Sequence, residues 1–230
     1  MKKFTNLIIV DASSSMRSKE AEVRDGLKDL LTDIRKDIKK SKDMKTRTIV
    51  CQFSSANNFK VLLDTKKRKK IKESIADGYK PSGMTALYDA IGQGFSLVGK
   101  KQTGVFVNIL TDGDENASQE YTHESVKKLI EEAKEKKWGL TFMGTTEDAI
   151  QNAVAMGVTI GNTFQFSNNR QGVNTSNLKK KMSRDKYYTS VVASASLDEI
   201  DNLNLMEDDA VSGIVVDISK KTSDTTTDNK

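Results

Sequence analysis

Short apolar runs alternate with longer amphipathic stretches along the first 195 residues of the chain. Residues 4–10 are typical of a buried strand, while residues 16–39 carry apolar side chains at a spacing of three or four, which predicts one face of a helix. Such alternation predicts βαβ units over a mostly parallel sheet. The predicted strands are 4–10, 46–53, 59–63, 104–111, 138–144 and 162–166, and the predicted helices are 16–39, 66–76, 86–98, 122–137, 147–156 and 172–195.

The second and third predicted strands are joined by the turn-prone residues 54–58. So short a connection can join only antiparallel neighbours, which predicts a hairpin at one edge of the sheet. The predicted fold class is therefore α/β: a Rossmann-like, doubly wound sheet of order 3-2-1-4-5-6. One edge strand is antiparallel, and helices lie on both faces.

Composition excludes several classes of protein. The 230 residues contain one Cys, which excludes a disulfide framework and a Cys-based zinc site. No uninterrupted apolar run exceeds four residues, as in residues 7–10, whereas a membrane helix needs about 20. We therefore expect a cytoplasmic protein without a membrane partner.

The net charge of +5 conceals an uneven distribution. Residues 196–230 hold nine acidic and three basic side chains, a net −6, so residues 1–195 carry +11. We divide the chain into a domain over 1–195, an acidic and apolar extension over 196–219, and a disordered polar tail over 220–230. Six cations fall within residues 66–72, but no aromatic residue interleaves with them, so nucleic-acid binding is not expected.

Three oxygen-bearing side chains follow the first predicted strand at alternate positions. Asp11, Ser13 and Ser15 can turn towards a common centre as the chain leaves the strand. Hydroxyls combined with a carboxylate suit a hard cation such as Mg²⁺. The alternative is that Ser13 or Ser15 simply caps the following helix.

Two further segments bring oxygen ligands to the same edge of the predicted sheet. Thr85 lies in Gly-Met-Thr-Ala-Leu at the start of a helix, and Asp112 follows the fourth predicted strand in Leu-Thr-Asp-Gly. In a doubly wound sheet, ligands bind where the strand order reverses, between the carboxyl ends of the first and fourth strands. Gly83 and Gly113 are expected to permit the turns that bring Thr85 and Asp112 there.

The motif Asp-x-Ser-x-Ser, with this Thr and this Asp, resembles the metal-ion-dependent adhesion site of von Willebrand factor type A domains. The resemblance covers roughly residues 4–195, and within the family the chain is similar to small stand-alone proteins of bacteria and phages. It implies that Ser13, Ser15 and Thr85 ligate Mg²⁺ or Mn²⁺ directly, with Asp11 and Asp112 contacting the ion directly or through water. The implied function is to recruit an Asp or Glu carboxylate of a partner protein in a bacterium or phage-infected cell, without enzymatic activity.

Several alternatives remain open at this stage. Asp114 and Glu115, with Glu120, could form a second shell, compete with partner carboxylates or simply be solvated. The domain could be an accessory subunit of an AAA-type ATPase or stress complex, or a phage assembly component. A metal-dependent phosphohydrolase and a nucleic-acid binder are weaker possibilities. Residues 196–219 could mediate self-association or supply carboxylates to the site.

Overall fold

The computed structural model describes residues 2–40, 44–99, 101–112 and 114–165. Within them, six strands form one sheet of order β3-β2-β1-β4-β5-β6. The strands are β1 (Lys2–Asp11), β2 (Met44–Phe53), β3 (Phe59–Thr65), β4 (Val105–Leu110), β5 (Gly139–Gly144) and β6 (Thr163–Gln165). The helices are α1 (Glu20–Lys40), α2 (Leu87–Val98), α3 (His123–Glu135) and α4 (Glu147–Ala155). The predicted fold class and strand order are confirmed.

Strand β1 lies at the centre of the sheet and runs parallel to both of its neighbours, β2 and β4. Its side chains alternate between two apolar layers: Leu7 and Ile9 pack with residues of α2 and α3, and Ile8 and Val10 pack with residues of α1. Because helices cover both faces, β1 is apolar on both faces instead of alternating with polar residues. The predicted antiparallel hairpin is also confirmed, as the pair β2 and β3.

The helix after β1 begins later than the predicted residue 16. Ser14–Lys19 form a 3-10 helix, and α1 starts at Glu20. Tighter 3-10 turns are frequent at helix ends, where serines favour turns over helix interiors. Only Ala12 and Ser13 are loop residues between β1 and the 3-10 helix, and Ser15 lies within that helix.

The basic segment at residues 66–76 is not the predicted helix. It contains two short 3-10 helices, Arg68–Lys70 and Glu73–Gly78. Like charges three or four residues apart repel on a helix surface, and the buried side chains of Ile71 and Ala76, five positions apart, do not form a continuous helical stripe. The lysines of this segment remain exposed.

The predicted helix at 172–195 and the two predicted segments at 196–219 and 220–230 lie outside the described residues. Among the helices that are described, none is both long and apolar enough to cross a membrane.

Helix α2 contains a glycine that allows close contact with the loop before α3. A Cβ atom on Gly92 would lie 2.3 Å from ring atoms of Tyr121. Ala normally stabilises a helix interior by about 1 kcal/mol relative to Gly. Here we expect Gly92→Ala to lower the free energy of unfolding by about 1–3 kcal/mol, measured by urea denaturation, because the ring must move.

The matched background is Tyr121→Ala, which removes the ring. In that background Gly92→Ala should be neutral or stabilising. An equal loss of stability in both backgrounds would show that Tyr121 is not the cause.

Candidate metal centre

Asp11 is the last residue of β1, and its side chain is completely buried. Its Oδ1 accepts a hydrogen bond from the backbone N–H of Ser13 at 2.6 Å, and its Oδ2 accepts one from Thr111 Oγ1 at 2.6 Å. The carboxylate thereby fixes the turn after β1 and joins it to the end of β4. Ser13 occupies the position before the 3-10 helix, but its side chain makes no capping hydrogen bond. The structure thus gives no support to helix capping as the role of the Ser13 hydroxyl.

The two serine hydroxyls and Asp112 form a continuous hydrogen-bonded chain. Ser13 Oγ lies 2.9 Å from Ser15 Oγ, and Ser15 Oγ donates to Asp112 Oδ1 at 2.6 Å. The second carboxylate oxygen, Asp112 Oδ2, accepts from Nζ of Lys19. Residues nearly 100 positions apart are therefore in direct contact, as the topology predicts.

Thr85 lies on the adjacent loop, just before α2, and is buried. Its N–H donates to Asn116 Oδ1 at 2.9 Å, and its carbonyl accepts from the Asn116 N–H at 2.9 Å. No hydrogen bond joins the Thr85 hydroxyl to another residue of the described chain. These two hydrogen bonds hold the backbone of Thr85 in place just before α2.

The loop that carries Thr85 is tied through Gly83 to residues 12–15, the serine loop. The Gly83 carbonyl accepts from the Ser14 N–H at 2.9 Å. Gly83 has a φ of 81°, and a Cβ there would lie 2.6 Å from Ser55 Oγ. The predicted need for glycine at this turn is confirmed, whereas Gly113 lies outside the described residues.

The three nearby acidic residues are engaged elsewhere. Asp114 is exposed and accepts a hydrogen bond from Asn152, and Glu120 accepts one from Gln93. Glu115 accepts from three backbone N–H groups and from the Ser118 hydroxyl. In the described chain, Glu115 thus shapes its own loop and fixes it to the start of α2.

Sequence reasoning missed two buried charged residues of this region. Asp89, on α2, accepts from the backbone N–H groups of Gln119, Glu120 and Tyr121, and so holds residues 114–122, the acidic loop, against α2. Lys19 lies at the end of the 3-10 helix, beside Asp112. For Lys19 the available signal was position, because it lies three residues after Met16 and four before Val23, on the apolar face of the predicted helix.

Burial also changes the proton affinity of the site. Loss of hydration raises the pKa of Asp11 from 3.8 to about 6, against the opposing effect of its hydrogen bonds from Thr111 and Ser13. The carboxylate of Asp112 adds to the rise. Negative charge on Asp11 is therefore costly unless a cation is present nearby.

The donor set fits a hard divalent cation. The hydroxyls of Ser13 and Ser15 lie with Asp112 at the edge of the sheet where Asp11 ends β1, and Thr85 lies on a loop that is hydrogen-bonded to the serine segment. Hydroxyl and carboxylate oxygens of this kind suit Mg²⁺ and Mn²⁺. Among residues 2–40, 44–99, 101–112 and 114–165, no group of three or more His, Cys, Asp and Glu could hold a metal. Any ion bound at this edge would thus depend on the hydroxyls.

The raised pKa of Asp11 predicts a pH dependence of stability in the metal-free chain. The native state binds this proton more tightly than the unfolded state, so the Asp11 contribution to stability improves as pH falls from about 7 to about 4.5. The variant Asp11→Asn has a neutral amide in place of the carboxylate, so this position no longer titrates. The variant should gain on the order of 2–3 kcal/mol relative to wild type at pH 7, and much less at pH 4.5.

Urea denaturation in EDTA at the two pH values measures this difference. A stability difference between variant and wild type that does not change with pH would show that Asp11 is not titrating abnormally.

Sequence and structure comparisons place these observations in context. Residues 7–181 match the sequence profile of the von Willebrand factor type A domain family. A search of curated proteins finds no match.

Solved structures share the fold at low sequence identity. The pilus adhesin SpaC from Lactobacillus rhamnosus GG is 14% identical with a TM-score of 0.64, over 81% of this chain and 30% of that one. Proximal thread matrix protein 1 from the mussel byssus, with a zinc-occupied MIDAS motif, is 17% identical with a TM-score of 0.58, over 80% of this chain and 46% of that one. A von Willebrand factor type A protein from Catenulispora acidiphila is 14% identical with a TM-score of 0.57, over 81% of this chain and 43% of that one.

The matched part thus spans less than half of each of these three proteins. Because the family profile covers three quarters of the chain and the sheet has the expected order, the chain belongs to the von Willebrand factor type A domain family.

Proposed function

We propose that this domain is a metal-ion-dependent protein-binding module. Ser13, Ser15 and Thr85 hold Mg²⁺ or Mn²⁺, and Asp11 and Asp112 contact the ion directly or through water. The observation that carries the proposal is the hydrogen-bonded chain from the Ser13 hydroxyl to the Ser15 hydroxyl and from there to Asp112, between the ends of β1 and β4.

The bound ion would supply positive charge that the neutral hydroxyls leave largely uncompensated, and this charge attracts an external carboxylate. The chain's own residues set the geometry. Asp11 holds the serine loop by accepting a hydrogen bond from the Ser13 N–H. Asn116, on the acidic loop, holds Thr85 by accepting one from the Thr85 N–H. Rigid placement of ligands by a second layer of hydrogen bonds is what a selective ion site requires.

The surface beside the site suits an acidic protein partner. Ser14, Arg17 and Met84 are exposed next to the proposed ligands, with Met84 at 53% of its full accessibility. Arg17 adds a cation to the attraction for a partner carboxylate, and Met84 offers an adaptable apolar contact. The net charge of +11 over residues 1–195 favours the same class of partner.

Two structural relatives support the proposal by analogy. One is named for a zinc-occupied MIDAS motif, and another is a pilus adhesin. Our choice of Mg²⁺ or Mn²⁺ rests on the all-oxygen donor set of this chain, since zinc more often takes nitrogen and sulfur ligands.

Metal binding should depend on the Thr85 hydroxyl. We expect millimolar Mg²⁺ to raise the melting temperature of the full chain and to give a titration in calorimetry, because a ligand that binds only the native state stabilises it. Thr85→Val, which replaces the hydroxyl by a methyl group of similar size, should weaken binding by about tenfold or more.

The matched control is Thr48→Val on β2. Thr48 is also buried, its hydroxyl has no hydrogen-bond partner among the described residues, and it pairs with Asn6 in the middle of β1, five positions before Asp11. This variant should bind Mg²⁺ as wild type does. Absence of binding by wild-type protein, or equal binding by Thr85→Val, would contradict the proposed site.

Partner binding should require the ion. With the full chain immobilised, we expect a bound protein to be released by EDTA and to rebind when Mg²⁺ is restored, and the Thr85→Val chain should not retain it. If the bound protein is retained in EDTA but released at high salt, it is held by general electrostatic attraction. A nucleic acid bound to the basic residues 66–72 would show the same salt dependence.

A further inference from the structure

The proposed metal centre already contains a cation supplied by the chain. Lys19 belongs to the same 3-10 helix as Ser15, its side chain is only 10% exposed, and its ammonium pairs with Asp112. The Asp112 side chain is 1% exposed. A buried lysine and a buried carboxylate are each unfavourable alone, so each neutralises the other here.

This pairing uses both carboxylate oxygens of Asp112. Ser15 donates to Oδ1, and Lys19 donates to Oδ2. Ser15 in turn lies against Ser13. Three of the proposed ligands and Lys19 therefore form one hydrogen-bonded chain, Ser13 to Ser15 to Asp112 to Lys19.

A divalent ion cannot join this arrangement without changing it. Two positive centres that share one carboxylate in a weakly hydrated site repel each other strongly. Arg17 differs from Lys19 in this respect: it lies in the same 3-10 helix but is exposed, so water screens its charge.

We propose that Lys19 is a built-in competitor of the metal ion. Its ammonium neutralises Asp112 in the metal-free chain and must leave Asp112 when a divalent ion binds. This inference rests on the proposed function, because it concerns the same site. If Lys19 competes in this way, the chain binds a metal ion more weakly than its oxygen ligands alone would allow. Metal binding also frees the Lys19 ammonium beside the ion.

The test compares Lys19→Met with Arg17→Met in the full chain, titrated with Mn²⁺ by calorimetry. Both variants lose one positive charge within the same six-residue 3-10 helix. We expect Lys19→Met to bind Mn²⁺ at least about tenfold more tightly than wild type, and Arg17→Met to change affinity by less than about threefold. In EDTA, Lys19→Met should melt at a lower temperature than wild type, and Mn²⁺ should reverse this loss.

A second measurement needs no substitution. Reductive methylation of the wild-type chain, analysed by peptide mass spectrometry, should modify Lys19 slowly in EDTA and faster in saturating Mg²⁺. Lys28, a lysine of α1 whose side chain is 38% exposed, should react equally in both conditions.

The outcomes separate this inference from the proposed function. If wild type binds Mn²⁺ and Lys19→Met binds it equally or more weakly, Lys19 positions Asp112 for the metal and the competitor role is wrong, while the metal site stands. Unchanged methylation of Lys19 in Mg²⁺ would contradict the competitor role in the same way. If only Lys19→Met binds, the competitor role is supported, and the proposed function fails for the wild-type chain, whose site is closed by its own lysine. If no variant binds, both proposals fail.

Discussion

The parallel pairing of β1 with β4 is the constraint on which the site depends. Val10 lies opposite Leu110, so the next residues are Asp11, which ends β1, and Thr111, which follows β4, and their side chains meet at 2.6 Å. Because these strands are central and run in the same direction, the loops that follow both of them leave from one edge of the sheet. Any shift of register would separate Asp11 from the Thr111-Asp112 turn and remove the site.

Polar groups around this edge hold the loops that the pairing brings together. The Tyr79 hydroxyl donates to the Asp11 carbonyl at 2.7 Å, and Arg24 of α1 donates to the Tyr79 carbonyl at 2.9 Å. On the other side, Asp89 and Glu115 bind backbone N–H groups of the acidic loop. These hydrogen bonds hold the loops in place, and the same 3-10 helix that presents Ser15 also presents the lysine that neutralises Asp112.

The sequence predicted the strands, the hairpin and the meeting of the serine turn with Asp112, because apolar runs mark buried strands and topology places their ends. It did not predict the roles of Lys19 and Asp89, since only tertiary packing decides whether a charged residue on an apolar face finds a partner. Residues 66–76 were wrongly predicted as a helix because their weak apolar pattern does not outweigh repulsion among their cations. Thr85 was placed at the correct loop, yet its dependence on Asn116 required the structure.

The most direct test of the account is a crystal structure of the full chain grown with Mn²⁺, with anomalous difference density used to locate the ion. The account predicts one strong peak at the carboxyl ends of β1 and β4, about 2.0–2.3 Å from the hydroxyl oxygens of Ser13, Ser15 and Thr85, with Lys19 no longer on Asp112. No peak at this edge, or a peak held by Asp114, Glu115 or Glu120 in place of the hydroxyls, would contradict it.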